Sequence, residues 1–410
     1  SSTEAISSPT VSLQICFPHN DFKFKTEAKL IWMRDLESGA SLYGVEFVGL
    51  GEKERAELRK ELIKIQTESL LREIEDRGMR KMVSDFFLSY LSHYINEIIK
   101  VTQHLFKGKE YSEEIERRLN QLHTQILLKG HCLEKLFSES KVMQKIKDNF
   151  RHLISTWIYK STIVKYAFEK PRGYAGDYKM LEIIYDNKPI SKNMGVYFDN
   201  NFLKSPYAVA VRIRKDHLRE ILQRFFNETK LNKLNILNIA CGSCREIREL
   251  LPSLKTKSSI IFNCLDWDEE ALKFSQGMLL PIKPKNVEFK FIKEDIMNII
   301  KNESTALSLG KQDLIYSIGL IDYLPDRVLK KLIYVLYQLL QKNGRLILTH
   351  KNREKTFPPI PPDWFCDWKF VPRNKEEVIE LFYACGISEF SLSIDSDDFE
   401  YIHYFTVIKR

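Results

Sequence analysis

No apolar run in this chain approaches the ~20 residues that a helix needs to cross a bilayer, so no membrane span is expected. No secretory signal opens it either. The first residue is Ser1 and a strand pattern follows almost at once, so the chain reads as beginning inside a domain. Cysteine is sparse: 7 in 410 residues, an odd number at irregular spacing. That argues against a disulfide framework and fits reduced thiols in a cytoplasm. Cys241 and Cys244 are the one pair at redox or zinc spacing, and no second CxxC follows them. His93, His104, His123, His131 and His152 form no i, i+4 pair with a carboxylate set, so they read as surface or packing residues and no metal site is expected. Concentrated charge of one sign is lacking too. A net charge of +8 is mild over this length, and basic residues are interleaved with acids, as in Glu52–Glu61. With no basic stripe carrying interleaved aromatics, nucleic acid is not an expected partner.

What is present is ordinary for a globular protein: 44% hydrophobic and 29% charged residues, with length for two or three domains. Val11–Phe17, Lys25–Met33 and Tyr43–Val48 alternate like β-strands, with turns at Pro18–Asn20 and Glu37–Ala40. From Glu52 to about Phe168 the pattern is helical, with apolar pairs such as Met82 with Phe86, Tyr94 with Ile98 and Ile154 with Ile158. Gly108–Glu110 and Gly130 suggest breaks between these helices. From about Lys165 the character changes. Glu169–Tyr178 is a Gly- and Pro-containing loop with two tyrosines and an acid, which suits a lid. The expected division is a β segment at 1–55, a helical connector at 56–164 and an α/β domain at 165–410.

The most informative stretch is Asn235–Glu246. A short apolar run climbs into a small-residue turn at Cys241, Gly242 and Ser243 and then enters a helical pattern. Such a turn lets backbone approach a ligand closely. A second apolar strand, Ile260–Leu265, ends on Asp266, the layout in which an acid grips ribose hydroxyls. Ala240, Gly242 and Cys244 hold the small positions, so the full GxGxxG is absent and a ligand without a pyrophosphate is favoured. Further strands are expected at Val287–Ile292 and Arg345–Thr349, the latter entered through a turn at Asn343–Gly344, and Asp313–Asp326 reads as a buried strand opening into a polar turn. An amphipathic helix is expected at Leu329–Leu340, and Ile387–Ile394 and Tyr401–Ile408 form a closing hairpin through Asp395–Asp398.

This turn resembles the first motif of class I S-adenosylmethionine-dependent methyltransferases, roughly hhDhGCGxG. Asn238 stands where that motif has Asp, and Cys244 where it has its last Gly. The resemblance implies a Rossmann-like α/β domain, a seven-stranded sheet with an antiparallel last strand, and S-adenosyl-L-methionine as cofactor. It carries cofactor contacts onto Asn238, Ala240, Cys241, Gly242, Asp266, Trp267, Asp295, Ile296, Ser317 and Gly319. Asp295 reads either as the acid on the adenine amino group or as a helix cap. The lid loop, Ala208–Arg214 and Ala240–Glu246 resemble a narrower group, the biosynthetic enzymes of a 3-hydroxypalmitic acid methyl ester signal. That implies a carboxylate acceptor, which needs positioning and no general base. Tyr174, Tyr323 and His350 are the candidate catalytic groups, and Arg212, Arg214, Asp322 and Arg373 the candidate substrate contacts. For a hydroxyl or amine acceptor, Asp322, His350 or Asp367 could serve as base. His350 reads equally as structural. Trp364, Phe365, Trp368 and Phe370 read as core or as an acyl-chain pocket. The DPPY-like tetrad of amino-methylating enzymes is missing after the fourth strand of this domain.

Tyr43–Arg55 resembles the closing strand and helix of a PilZ domain, a small β-barrel that often binds cyclic di-GMP. Its RxxxR arm and DxSxxG turn are not intact here; Ser1–Ala5 reads as a remnant of the turn. A scaffold is favoured over a cyclic di-GMP site. The other reading of the whole chain is a catalytically weak regulatory protein responsive to S-adenosylmethionine or cyclic di-GMP.

Overall fold

In the computed structural model, residues 10–16, 23–35, 41–106, 111–138, 140–356 and 360–410 are described. The Ser1–Ala5 remnant lies outside them. The chain divides into two units, Ser1–Asn96 with Leu133–Leu153, and Glu97–Cys132 with Ile154–Arg410. Residues 56–96 and 133–153 of the expected connector thus fall in the first unit, and 97–132 and 154–164 in the second.

The first unit holds a three-stranded antiparallel sheet in the order β1 (Thr10–Cys16), β2 (Lys23–Asp35), β3 (Ser41–Val48). One face closes over helix Glu52–Leu71: Phe24 and Leu58 are buried, with Ile15, Phe47 and Ile65 packed on them. A register irregularity between Leu30 and Trp32 bends β2. Among the described residues the sheet is three strands and no barrel.

The second unit is a Rossmann-like α/β/α sandwich. Its strands are β4 (Lys233–Ile239), β5 (Ser259–Asp266), β6 (Val287–Lys293), β7 (Gln312–Ile318), β8 (Leu340–Lys351), β9 (Leu392–Ser396) and β10 (Ile402–Ile408). They lie in the order β6-β5-β4-β7-β8-β10-β9. All contacts from β6 to β8 are parallel, and β10 runs antiparallel to both β8 and β9. Strands covered on both faces are apolar along nearly their whole length: Leu234, Ile236, Leu237 and Ile239 of β4 are all fully buried. Helices Pro206–Glu228 and Glu269–Leu279 cover one face through Leu218, Leu222, Phe226 and Leu272. Helices Asp326–Leu339 and Lys375–Tyr383 cover the other through Leu332, Leu336 and Phe382.

Two details differ from the sequence expectation. β8 starts at Leu340 and runs through Asn343–Gly344, so the turn there is a bulge: Asn343 sits at φ +64°, and a Cβ on Gly344 would meet the Gln312 carbonyl at 3.0 Å. The hairpin strand begins at Leu392 because Glu389–Ser391 forms a 3₁₀ turn that leaves Phe390 exposed. Among the described residues no helix is long and apolar enough to cross a membrane. Strand order reverses between β4 and β7, both parallel to their neighbours, which opens a crevice at their C-terminal ends.

Candidate active site

The turn after β4 is built from left-handed backbone. Ala240, Gly242 and Cys244 have φ of +52°, +52° and +49°, a region that costs a non-glycine residue roughly 1 kcal/mol or more. Backbone bonds hold it there. Cys241 N–H donates to the Leu265 carbonyl at 3.0 Å, Gly242 N–H to Asp266 Oδ2 at 2.8 Å, and Ser275 Oγ to the Gly242 carbonyl at 2.8 Å. The other Asp266 oxygen accepts Asp268 N–H at 2.9 Å. Burial pushes the Asp266 carboxyl up to about 6, against the pull of these two donors.

A cavity of about 290 Å³ opens above this turn. At one end Ala240, Gly242, Asp266, Trp267, Asp295 and Ile296 form the wall, with Glu294 beside them. Asp295 does both things the sequence left open, since it lines the cavity and also caps helix Ile296–Lys301 by accepting Met297 N–H at 2.8 Å. The other end is walled by Phe202, Tyr207, Arg214, Tyr323, Lys351, Trp368 and Phe370. Gly319 lines the junction at φ +89°, where an added Cβ would lie 2.5 Å from the Arg214 guanidinium. Tyr174, Gly176 and Tyr178 come from the stretch Glu169–Tyr178. Tyr174 leans on Trp267 with ring centroids 5.9 Å apart. Arg172 pins the loop through both oxygens of Asp268 and through Glu270, and Lys170 Nζ reaches Asp367 at 2.9 Å.

The polar end is organised around Asp322. Its carboxylate accepts from Lys351 Nζ at 2.8 Å and Lys351 N–H at 3.0 Å, with Arg214 Nη1 at 3.5 Å. Burial works to raise its pKa, but Lys351 and Arg214 overcome this and hold it at about 2. Lys351 Nζ also stands 4.0 Å from the Phe370 ring centroid, and burial lowers its pKa. Arg214 is 3% exposed, and its Nε has no hydrogen-bond partner among the described residues. Tyr323 Oη accepts the Trp368 indole N–H at 2.9 Å, which leaves its own proton free for a ligand.

Several expected site residues stand behind the wall. Arg212 donates to the carbonyls of Leu203 (3.0 Å) and Ile184 (3.5 Å) and does not line the cavity. Arg373 is spent on Asp326 and on the carbonyls of Ile321 and Leu324. His350 lines a separate cavity of about 20 Å³. Its Nδ1 faces the Lys351 carbonyl at 2.6 Å, which can only accept, so that nitrogen carries the proton and Nε2 accepts from Arg373 at 3.3 Å. Burial lowers its pKa; the neutral ring has no lone pair left for base chemistry. Ser317 donates to the Ile239 carbonyl at 2.8 Å, and Cys241 serves the turn through its backbone. Trp364 and Phe365 are core, whereas Trp368 and Phe370 line the cavity.

Asn238 faces away from the cavity. Its amide donates to Glu246 Oε1 at 2.9 Å, and Tyr316 Oη donates to the same oxygen at 2.9 Å. The sequence reading missed this buried acid, which burial pushes up to about 8. An acid whose folded pKa is raised costs stability progressively as pH climbs from its unfolded value toward the folded one. Glu246→Gln is therefore expected to melt a few degrees above the parent at pH 9, with the gap closing toward pH 5, in thermal denaturation at both values.

Residues 163–353 match the model of a family described as a putative methyltransferase. The match lies within the α/β unit and covers less than half of the chain. No curated protein matches the chain. Among solved structures, a possible exported protein from Bordetella parapertussis is 16% identical with a TM-score of 0.44, covering 78% of this chain and 97% of its own. Magnesium protoporphyrin IX methyltransferase from Synechocystis PCC 6803, with bound S-adenosylmethionine, is 13% identical at a TM-score of 0.37, covering 50% and 83%. The N-methyltransferase NodS from Bradyrhizobium japonicum WM9 is 13% identical at 0.33, covering 48% and 96%.

Proposed function

We propose that the α/β unit binds S-adenosylmethionine and methylates the carboxylate of a small or acyl substrate, such as a 3-hydroxy fatty acid. One observation carries this reading: the cavity has opposite charge at its two ends. Asp266, Glu294 and Asp295 line one end, and Arg214 and Lys351 the other. Three carboxylates repel a pyrophosphate but suit a cationic nucleoside, and the helix after the turn has only six residues to offer a phosphate. Asp266 would take the ribose hydroxyls on its remaining lone pairs, and Asp295 with Ile296 the adenine. When bound, this cofactor supplies a methyl group on a positively charged sulfur.

The acceptor end then has to align a carboxylate and strip it of water. The Arg214 guanidinium lines this end, the Tyr323 hydroxyl keeps a free proton, and Lys351 adds charge above Phe370. Phe202, Tyr207, Trp368 and Phe370 exclude water around them. A carboxylate is already nucleophilic, so no residue has to remove a proton. The test supplies methyl-labelled S-adenosylmethionine and 3-hydroxy fatty acids to the purified chain. Label released as methanol by mild alkali marks an ester; alkali-stable label or none refutes it.

The lid belongs to the same proposal. Arg172 joins it to Asp268, whose N–H is held by Asp266, so the loop and the ribose acid share one network. Arg172→Ala is expected to speed cofactor release by about 5- to 30-fold, as the charge-assisted pairs to Asp268 and Glu270 are lost, in stopped-flow displacement by S-adenosylhomocysteine. An unchanged off-rate removes the latch. The three-stranded sheet is proposed as a PilZ-like scaffold, and titration with cyclic di-GMP is expected to give no heat.

A further inference from the structure

The α/β unit carries a second concavity that methyl transfer does not use. Lys311 and Leu339 line it and immediately precede β7 and β8, so it sits at the opposite end of the sheet from the cavity. Its volume is about 740 Å³, within the ~300–1,000 Å³ of small-ligand sites. The floor is apolar: Ile299, Ala306 and Leu339 are buried, while Leu307 is 60% and Tyr334 54% exposed. Water solvates such a floor poorly.

The rim is dominated by positive charge. Lys301, Lys311, Lys330 and Lys331 line it against a single acid, Glu303. Elsewhere in the unit lysines find carboxylates, as Lys273 and Lys293 share Glu269. Among the described residues Lys301, Lys330 and Lys331 form no ion pair. Lys311 Nζ is held by the Gln338 carbonyl at 2.6 Å, on the edge of the groove. Ammonium groups on flexible stems above a wet apolar floor complement a molecule with an apolar chain and one anionic head.

We propose that this groove binds a single-chain anionic amphiphile, a long-chain carboxylate, with its chain along Leu307 and Tyr334 and its head among Lys330 and Lys331. A depression of this volume bounded by three helices accommodates one chain, whereas a bilayer presents a plane. The site stands independently of methyl transfer.

The test is fluorescence titration of the whole chain with cis-parinaric acid, repeated on Leu307→Asp and on Lys330→Glu/Lys331→Glu. Melting temperature and S-adenosylmethionine affinity of each variant are recorded beside it. Saturable binding that weakens about tenfold or more in both variants, with displacement by oleate but not by oleyl alcohol, is the expected result. Undiminished binding in both variants would put the ligand elsewhere and overturn the proposal. Equal displacement by oleyl alcohol would overturn the role of the lysines. Absent fatty-acid binding with self-association abolished by Leu307→Asp would make the occupant a second copy of the chain, and absent binding with adsorption to anionic vesicles would make it a membrane; either refutes the assignment.

Discussion

Asp266→Ala is expected to weaken S-adenosylmethionine binding by roughly 30- to 150-fold, about 2–3 kcal/mol. The carboxylate does two jobs at once. It holds the turn by accepting Gly242 N–H and Asp268 N–H, and it faces the cavity with lone pairs to spare. Removal strips charge-assisted bonds from a ribose and lets a left-handed turn relax. The pH profile gives a second signature. Only the ionised acid grips hydroxyls as a pure acceptor, and burial places its pKa at about 6. Parent affinity should fall as pH drops below about 6, while the alanine variant should stay flat. Isothermal titration at pH 5, 6 and 7.5 reads both effects. An unchanged dissociation constant in Asp266→Ala would remove the cofactor from this end of the cavity.

The parts of this site that were legible in the sequence are those encoded locally. The apolar run of β4, the small-residue turn and the acid that ends β5 are contiguous or one crossover apart, and the structure brings them to one wall. What escaped depends on orientation and on distant packing. Arg212 and Arg214 are two residues apart on helix Pro206–Glu228, about 200° around its axis, so one enters the cavity and the other turns to backbone carbonyls. His350 and Lys351 are neighbours on β8 that both approach Asp322 and line the small cavity, but Lys351 alone of the two also lines the larger one. Glu246 had no local signal. Its role appears only when the first turn of a helix folds back over the end of β4, where Asn238 and Tyr316 meet it. The cationic end of the cavity joins Phe202 and Tyr207 to Trp368 and Phe370, more than a hundred and fifty residues later in the chain. No local pattern records such a meeting.

Arg214→Met should reduce kcat/KM for a carboxylate acceptor by roughly 10²- to 10³-fold, about 3–4 kcal/mol, while cofactor affinity stays within about twofold. The guanidinium is buried, lies 3.5 Å from Asp322 and lines the cavity wall. An incoming carboxylate would complete its set of partners. Without it Asp322 balances Lys351 alone, and the acceptor end loses its net positive charge. A second variant keeps the arginine and so separates loss of position from loss of charge. Gly319→Ala adds a Cβ at a φ of +89°, 2.5 Å from Arg214 Nη1. Either the guanidinium or the turn after β7 has to move, so the same kinetic loss is expected with the charge intact. Arg214→Lys should recover part of the rate, because a point charge replaces the ion pair but not the planar donor. Ester formation by both Arg214→Met and Gly319→Ala at the parent rate would mean that the acceptor carboxylate binds somewhere other than the cationic end.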